Sequence, residues 1–312
     1  MDLSKFAPVA LLLLALALAV PGRAADTAAY IITDSTTGFV LDQYRADKKV
    51  PIGSLTKIAT AMVVLDWSEA SNSDLGQMAT VPDGARQIAA SQGAGLQPGD
   101  RCALRDLLYA ALMQSDNVAA LTLANYVGQA IGGSRAPVDS FVDQMNALAR
   151  TRGMKNTKFV NPHGLDSQER TVPYSTAADL AKLTSYAMSN SAFRFYVSQR
   201  ERKITILPAT GGQTAYLLRN TNELLGINAI DGVKTGTTQK AGQCVIISAA
   251  RTPETRQQGD TSYVTPRRLN VVVLGAAGNR FSVAQGLLAR GWQFYDAWAA
   301  AGRPNKGWKP PR

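Results

Sequence analysis

Ser54 and Lys57 stand three residues apart in PIGSLTKIAT, just where an apolar, helix-forming run begins. A serine hydroxyl attacks a carbonyl only when a base takes its proton. The usual base is histidine, and the chain has one, His163 in VNPHGLD. The Asn, Pro and Gly around it mark a turn, and no nucleophile is paired with it in the sequence, so His163 reads as a turn residue. A lysine can serve instead when burial or a nearby positive charge brings its pKa to about 7–8. Residues three apart share a helix face, so Lys57 can reach Ser54. With Ser54 in the first turn, its own backbone N–H is also an unpaired helix-start donor, available to an oxyanion. S-x-x-K alone is weak, since a chain of this length supplies on the order of one by chance.

Two further stretches raise its weight. MQSDN places Ser115 and Asn117 at a break between two helical segments, offering a second hydroxyl for proton relay and an amide that donates and accepts. DGVKTGT reads as a strand carrying Lys234, Thr235, Gly236 and Thr237. Lys234 supplies positive charge for a substrate carboxylate and for depressing the pKa of Lys57, and Gly236 permits close backbone approach at a strand edge. A metal site finds no support, because one His and two distant cysteines, Cys102 and Cys244, match no ligand spacing. Their spacing leaves a single bridge open without arguing for one.

The elements around these residues follow from periodicity. AAYIITD, STTG and FVLDQYRA read as a hairpin near the amino end, followed by a helix from Ser54. Gly-, Ser- and Pro-rich text runs from about residue 69 to 100. Helical periodicity then returns in ALRDLLYAALM, VAALTLANYV and VDSFVDQMNALAR. Thr176 and Asp179 form a capping pair before ADLAKLTSYAM. From Lys203 the pattern turns to strands, and FSVAQGLLARGWQFYDAWAA closes the chain as a helix. These orders predict an α/β domain over residues 25–300. Its antiparallel sheet is drawn from both chain ends, about 25–66 and 203–300, with a helical insertion over about 67–202. The basic, Pro-rich residues 301–312 are expected to be disordered.

The first 24 residues place the protein outside the cytoplasm. Lys5 precedes the apolar run Val9 to Val20, and Ala24 is a small residue at a plausible cut, the pattern of a secretory signal peptide. The run falls short of the roughly 20 apolar residues a membrane span needs. Removal of the leader takes Lys5, Arg23 and Asp2 and changes the net charge from +10 to +9. In an exported chain that charge points to an anionic envelope, or to solubility alone, rather than to nucleic acid.

In the order S-x-x-K, S-D-N, K-T-G, the three motifs are those of penicillin-binding proteins and class A β-lactamases. The chain resembles the low-molecular-mass penicillin-binding proteins, the serine D-alanyl-D-alanine carboxypeptidase family, over about residues 28 to 299. The stretches TGFVLDQYRADKKVPIGSLTKIATAMVVLD, DLLYAALMQSDNVAALTLA, MKNTKFVNPHGLD and VKTGTTQKAGQCVIISA carry the likeness. The resemblance implies the penicillin-binding, β-lactamase-like transpeptidase fold and a periplasmic or wall-associated enzyme acting on peptidoglycan stem peptides without metal or cofactor.

By the same resemblance Ser54 would be acylated, Lys57 would be its base, and Ser115 would pass the proton to the leaving amine. Asn117 would hold Lys57 and the substrate amide. Lys234 and Thr235 would bind the terminal carboxylate, and Thr237 would complete the oxyanion hole with Ser54. β-Lactams would acylate Ser54 as inhibitors. The family often carries arginine where NTNELL has Thr221, which leaves Arg219 and Arg280 as candidate carboxylate partners. The RNTNELL wording also resembles DD-endopeptidases, so cross-link cleavage is the alternative. A β-lactamase would need a deacylating Glu, and no E-x-x-L-N-like segment lies between Asn117 and Lys234. A non-catalytic wall sensor is the remaining reading, against which the intact motifs count.

Overall fold

A computed structural model describes residues 27–88, 93–132, 135–166 and 172–310. The expected signal peptide, residues 1–24, lies outside the described residues. In chain order the elements begin with β1 (Thr27–Asp34), β2 (Val40–Tyr44), β3 (Val50–Pro51), α1 (Lys57–Ser71), β4 (Met78–Thr80) and β5 (Arg101–Ala103). Helices α2 (Leu104–Met113), α3 (Asn117–Ile131) and α4 (Pro137–Thr151) follow, then β6 (Tyr174–Ser175), α5 (Ala177–Ser189) and α6 (Ser191–Val197). The chain closes with β7 (Glu201–Leu207), β8 (Thr214–Arg219), β9 (Ile230–Thr238), β10 (Gly242–Gln258), β11 (Thr261–Ala276) and α7 (Arg280–Ala300).

The main sheet runs β2-β1-β11-β10-β9, every neighbour antiparallel. It does join the two ends of the chain, β1 pairing along β11 from Thr27 against Ala276 to Asp34 against Leu269. Both faces are covered, so its strands read as continuous apolar runs instead of alternating with polar residues. The two-residue period sorts those runs onto the two faces. Ile31, Ile246, Val272 and Leu274 enter the larger core with the helices. Ile32, Val245, Ile247, Val271 and Val273 face α7, whose Ala284, Leu288, Trp292, Tyr295 and Trp298 complete a second core.

Helix α7 and the sheet approach closely at Gly291, where a Cβ would stand 2.8 Å from Ile32 Cγ2. The capping pair holds as expected, Thr176 Oγ1 accepting from Asp179 N at 3.0 Å.

The boundary drawn at residue 203 needs correction. β7 and β8 pair with β5 and β4 in a separate four-stranded sheet, order β4-β5-β7-β8, so the carboxy-terminal part of the main sheet begins only at Ile230. Strand propensity announced β7 and β8 but says nothing about their partner. Helix α5, assigned to the insertion, packs on β11 and β1. Part of the tail expected to be disordered is also placed: Trp298 Nε1 donates to Pro304 O, and Trp308 lies edge-on to Phe39 and Phe294. Both cysteines are buried and free, Cys102 in β5 and Cys244 in β10.

Candidate active site

The turn that carries Ser54 is tighter than expected. Ser54 belongs to a 3-10 turn, Gly53–Thr56, and Lys57 is the first residue of α1. In a 3-10 turn, side chains three apart eclipse one another, which places the two more directly face to face than an α-helix would. Lys57 Nζ lies 3.0 Å from Ser54 Oγ. Lys57 is fully buried, while Ser54 keeps 9% of its surface at the cleft.

Two carbonyl oxygens complete the surroundings of Lys57: Nζ donates to Asn117 Oδ1 at 2.7 Å and to His163 O at 2.7 Å. Burial lowers its pKa to about 7, against the opposing charge of Asp116. The neutral amine has two N–H donors and one lone pair. The two carbonyls use both donors, and the lone pair is left for the Ser54 hydroxyl proton. That is the hydrogen-bond pattern of a general base.

Asn117 opens α3. Asp116 caps that helix by accepting from Ala119 N at 2.9 Å, and it ties in the preceding loop by accepting from Ala94 N at 2.6 Å. Ser115, just before, has left-handed backbone (φ 64), a strained conformation of the kind found at functional sites. It stands on the cleft wall, outside the set of groups hydrogen-bonded to Lys57.

His163 contributes through its main chain. Its carbonyl holds Lys57, while its Nδ1 accepts from Leu165 N at 3.2 Å within the turn. Burial, then the Lys57 charge, push its pKa down to about 3, so the ring is neutral. The turn reading was therefore correct for the side chain, and the backbone role carries no residue-type signal. The neighbouring Pro162 O accepts from Thr60 Oγ1 at 2.6 Å, and Asp166 accepts from Thr238 Oγ1 and Lys240 N, both at 3.0 Å. The NPHGLD loop thus bridges α1 and β9.

Gly164 makes that bridge possible. Its φ is +85, and a Cβ there would fall 2.0 Å from Gly53 O. Gly164→Ala should destabilise the protein by about 3 kcal/mol or more, since a backbone clash is added to left-handed strain. Thermal melting of the variant measures this, and an unchanged midpoint would show that the loop does not brace the turn that carries Ser54.

The opposite wall is β9. Lys234 is buried, and its Nζ donates to Thr235 O at 3.0 Å. Burial first, then Lys57 and Arg280, hold its pKa well below the usual lysine value. Thr235 Oγ1 lies 2.7 Å from Thr221 Oγ1. Gly236 was expected to admit substrate, but its tight neighbour is the enzyme itself. A Cβ there would stand 3.0 Å from Ile52 O and 3.2 Å from Leu55 N. The strand is pressed against the turn that carries Ser54, and Thr237 N comes within 3.4 Å of where a Gly53 Cβ would be.

Of the two candidate arginines, Arg280 reaches the site. Its Nη1 donates to Gly236 O at 2.8 Å, Thr237 Oγ1 at 2.7 Å and Cys244 O at 3.1 Å. Arg219 is exposed on β8 and pairs with Glu201 at 3.2 Å. Ser54, Ser115, Asn117, Thr235, Thr237 and Arg280 line one cleft of about 410 Å³. It combines a serine beside a neutral-range amine with fixed positive charge, which suits attack on a carbonyl next to an anionic group. No group of His, Cys, Asp and Glu that could hold a metal occurs among the described residues.

A family profile described as D-alanyl-D-alanine carboxypeptidase matches residues 17–258. The carboxypeptidase DacC of Escherichia coli (strain K12) is 34% identical over 278 residues, 87% of this chain and 62% of that protein. The chain therefore spans less than two thirds of that relative. A D-alanyl-D-alanine endopeptidase of Pseudomonas aeruginosa is 34% identical over 84% of this chain and 75% of its own length. Among solved structures, the Streptomyces K15 DD-transpeptidase superposes with a TM-score of 0.73 at 30% identity, over 86% of this chain and 97% of that one. Penicillin-binding protein D2 of Listeria monocytogenes, in its ampicillin-bound form, gives 0.66 at 27% identity, over 87% and 100%.

Proposed function

The chain belongs to the D-alanyl-D-alanine carboxypeptidase family, and we propose that its cleft removes the terminal D-alanine from peptidoglycan stem peptides through an acyl-enzyme on Ser54. The observation that carries the proposal is the fully buried Lys57, its pKa near 7, within hydrogen-bond reach of Ser54 Oγ.

Lys57 accepts the Ser54 proton as Oγ bonds to the scissile carbonyl carbon. The negative charge on the carbonyl oxygen is met by the N–H groups of Ser54 and Thr237, donors fixed before the reaction begins. Lys234, Thr235 and Arg280 hold the terminal carboxylate, and Asn117 fixes both Lys57 and the substrate amide. As the C–N bond breaks, the proton passes from Lys57 through Ser115 to the leaving amine, and D-alanine departs. Water then adds to the ester with Lys57 again as base, freeing Ser54 and the shortened peptide. β-Lactams are expected to acylate the same serine. The reaction needs extracytoplasmic substrate, in keeping with the expected leader. Among the described residues no helix is long and apolar enough to cross a membrane.

Cleavage of cross-links is the second reading, favoured by the small Thr221 beside Thr235, where an arginine would fill space next to the carboxylate site. Mass spectrometry of a muropeptide digest separates the two, with Ser54→Ala alongside. Loss of one alanine from pentapeptides with dimers spared is the expected result. Conversion of dimers to monomers would make the protein an endopeptidase, and no change in either would refute both.

A further inference from the structure

Glu223 is the acidic group among the residues lining the cleft, and none of the steps above uses it. Its backbone is pinned on both sides. Asn222 Nδ2 donates to Gly232 O at 2.9 Å, Asn222 N donates to Asn220 Oδ1 at 2.9 Å, and Leu224 N donates to Asn222 Oδ1 at 3.1 Å. Leu224 and Leu225 are buried immediately after it. The carboxylate of Glu223 is exposed and forms no ion pair among the described residues. It is near enough to Arg280 for its charge to oppose part of what burial does to that guanidinium. The same cleft offers a second unused acceptor, Gln114 Oε1, which is buried and unpartnered among the described residues while Gln114 Nε2 donates to Tyr216 Oη at 2.9 Å.

A lone acid costs something in this position. The end of the substrate is a carboxylate, and a negative group beside its site weakens its capture. A fixed acid is consistent with such a cleft when the substrate also brings a cation. In a stem peptide ending in D-alanyl-D-alanine, the cation nearest the scissile bond is the side-chain ammonium of the diamino residue before it.

We infer that Glu223 is a specificity residue that receives this ammonium, so that the preferred substrates carry a free side-chain amine on the residue preceding D-alanyl-D-alanine. The inference rests on the stem-peptide reading of the site. The pinned backbone sets the point on the cleft rim from which the exposed Glu223 side chain extends, so the pairing gives preference rather than catalysis.

The test uses two peptides ending in Lys-D-Ala-D-Ala, α-acetylated, with the lysine ε-amine either free or acetylated. An exposed charge pair is worth about fivefold in kcat/KM. The wild type should favour the free amine by about that factor, less at high salt. E223Q should bring the ratio to about one, with the acetylated peptide's kcat/KM rising rather than falling as repulsion of the terminal carboxylate is relieved. A ratio of one in the wild type, or equal losses on both peptides in E223Q, would overturn the assignment. If the wild type hydrolyses neither peptide, the hydrolase reading fails separately. The rate of Ser54 acylation by two β-lactams differing only in an acyl-side ammonium then carries the test. The same ratio and its loss in E223Q would uphold the role of Glu223, and equal rates or no acylation would refute it.

Discussion

Lys57→Met should lower kcat/KM for a D-alanyl-D-alanine peptide by about 10³-fold, because it removes the base and keeps the stem of the side chain. Folding should survive. Asn117 Oδ1 and His163 O each lose a donor, at about 1–3 kcal/mol apiece, while deleting a buried amine that is costly to charge recovers a similar amount. The wild-type rate should rise with pH through about 7 as Lys57 loses its proton, and this limb should vanish in the variant.

Stability carries the same signature. Between pH 7 and the ordinary lysine pKa the unfolded chain binds a proton at Lys57 that the folded one does not, so stability must rise with pH there. Lys234 adds in the same direction. Above about pH 9 this rise is opposed, because the buried thiols of Cys102 and Cys244, raised to about 12 and about 11, stay protonated only in the folded state. Melting curves from pH 6 to 9 should therefore climb in the wild type and less steeply in Lys57→Met. A flat wild-type profile would mean that Lys57 is not the neutral-range amine its burial implies.

The second large effect is expected at Lys234. Lys234→Met should cost about 10²-fold on a peptide with a free terminal carboxylate, since it removes a buried amine that takes up a proton and pairs when an anionic group binds beside it. Arg280 remains, which keeps the loss below that of removing the base. The same peptide with its carboxyl end amidated should be a poor substrate for the wild type and should lose much less in the variant. Equal losses on both substrates would assign Lys234 to bracing β9 or tuning Lys57 instead of binding the carboxylate.

The residues that the proposed mechanism uses through their side chains were legible in the sequence. Ser54, Lys57, Asn117 and Lys234 each have a type that chemistry demands, at a spacing a helix or strand can present. What escaped was chemistry done by the main chain. His163 holds Lys57 through a carbonyl, which any residue could offer, and only the NPHGLD turn marks the place. The glycines were visible but their partners were not: Gly164 makes room for Gly53, and Gly236 for Ile52 and Leu55, contacts across more than 100 positions of sequence. The sheet formed from both chain ends was readable from the order of elements. That β7 and β8 pair elsewhere was not, because propensity identifies a strand without naming its neighbour. Likewise Asp231 beside the K-T-G stretch serves structure, receiving both Arg268 Nη1 and Nη2 at 2.6 Å and so clamping β9 to β11.

The most direct measurement is to locate the covalent adduct after brief exposure to a β-lactam, by peptide mass mapping of the wild type and Ser54→Ala. A single acyl group on the peptide containing Ser54, absent from Ser54→Ala, is the expected result. An adduct on another serine such as Ser115, or one that persists in Ser54→Ala, would contradict Ser54 as the nucleophile and with it the role assigned to Lys57.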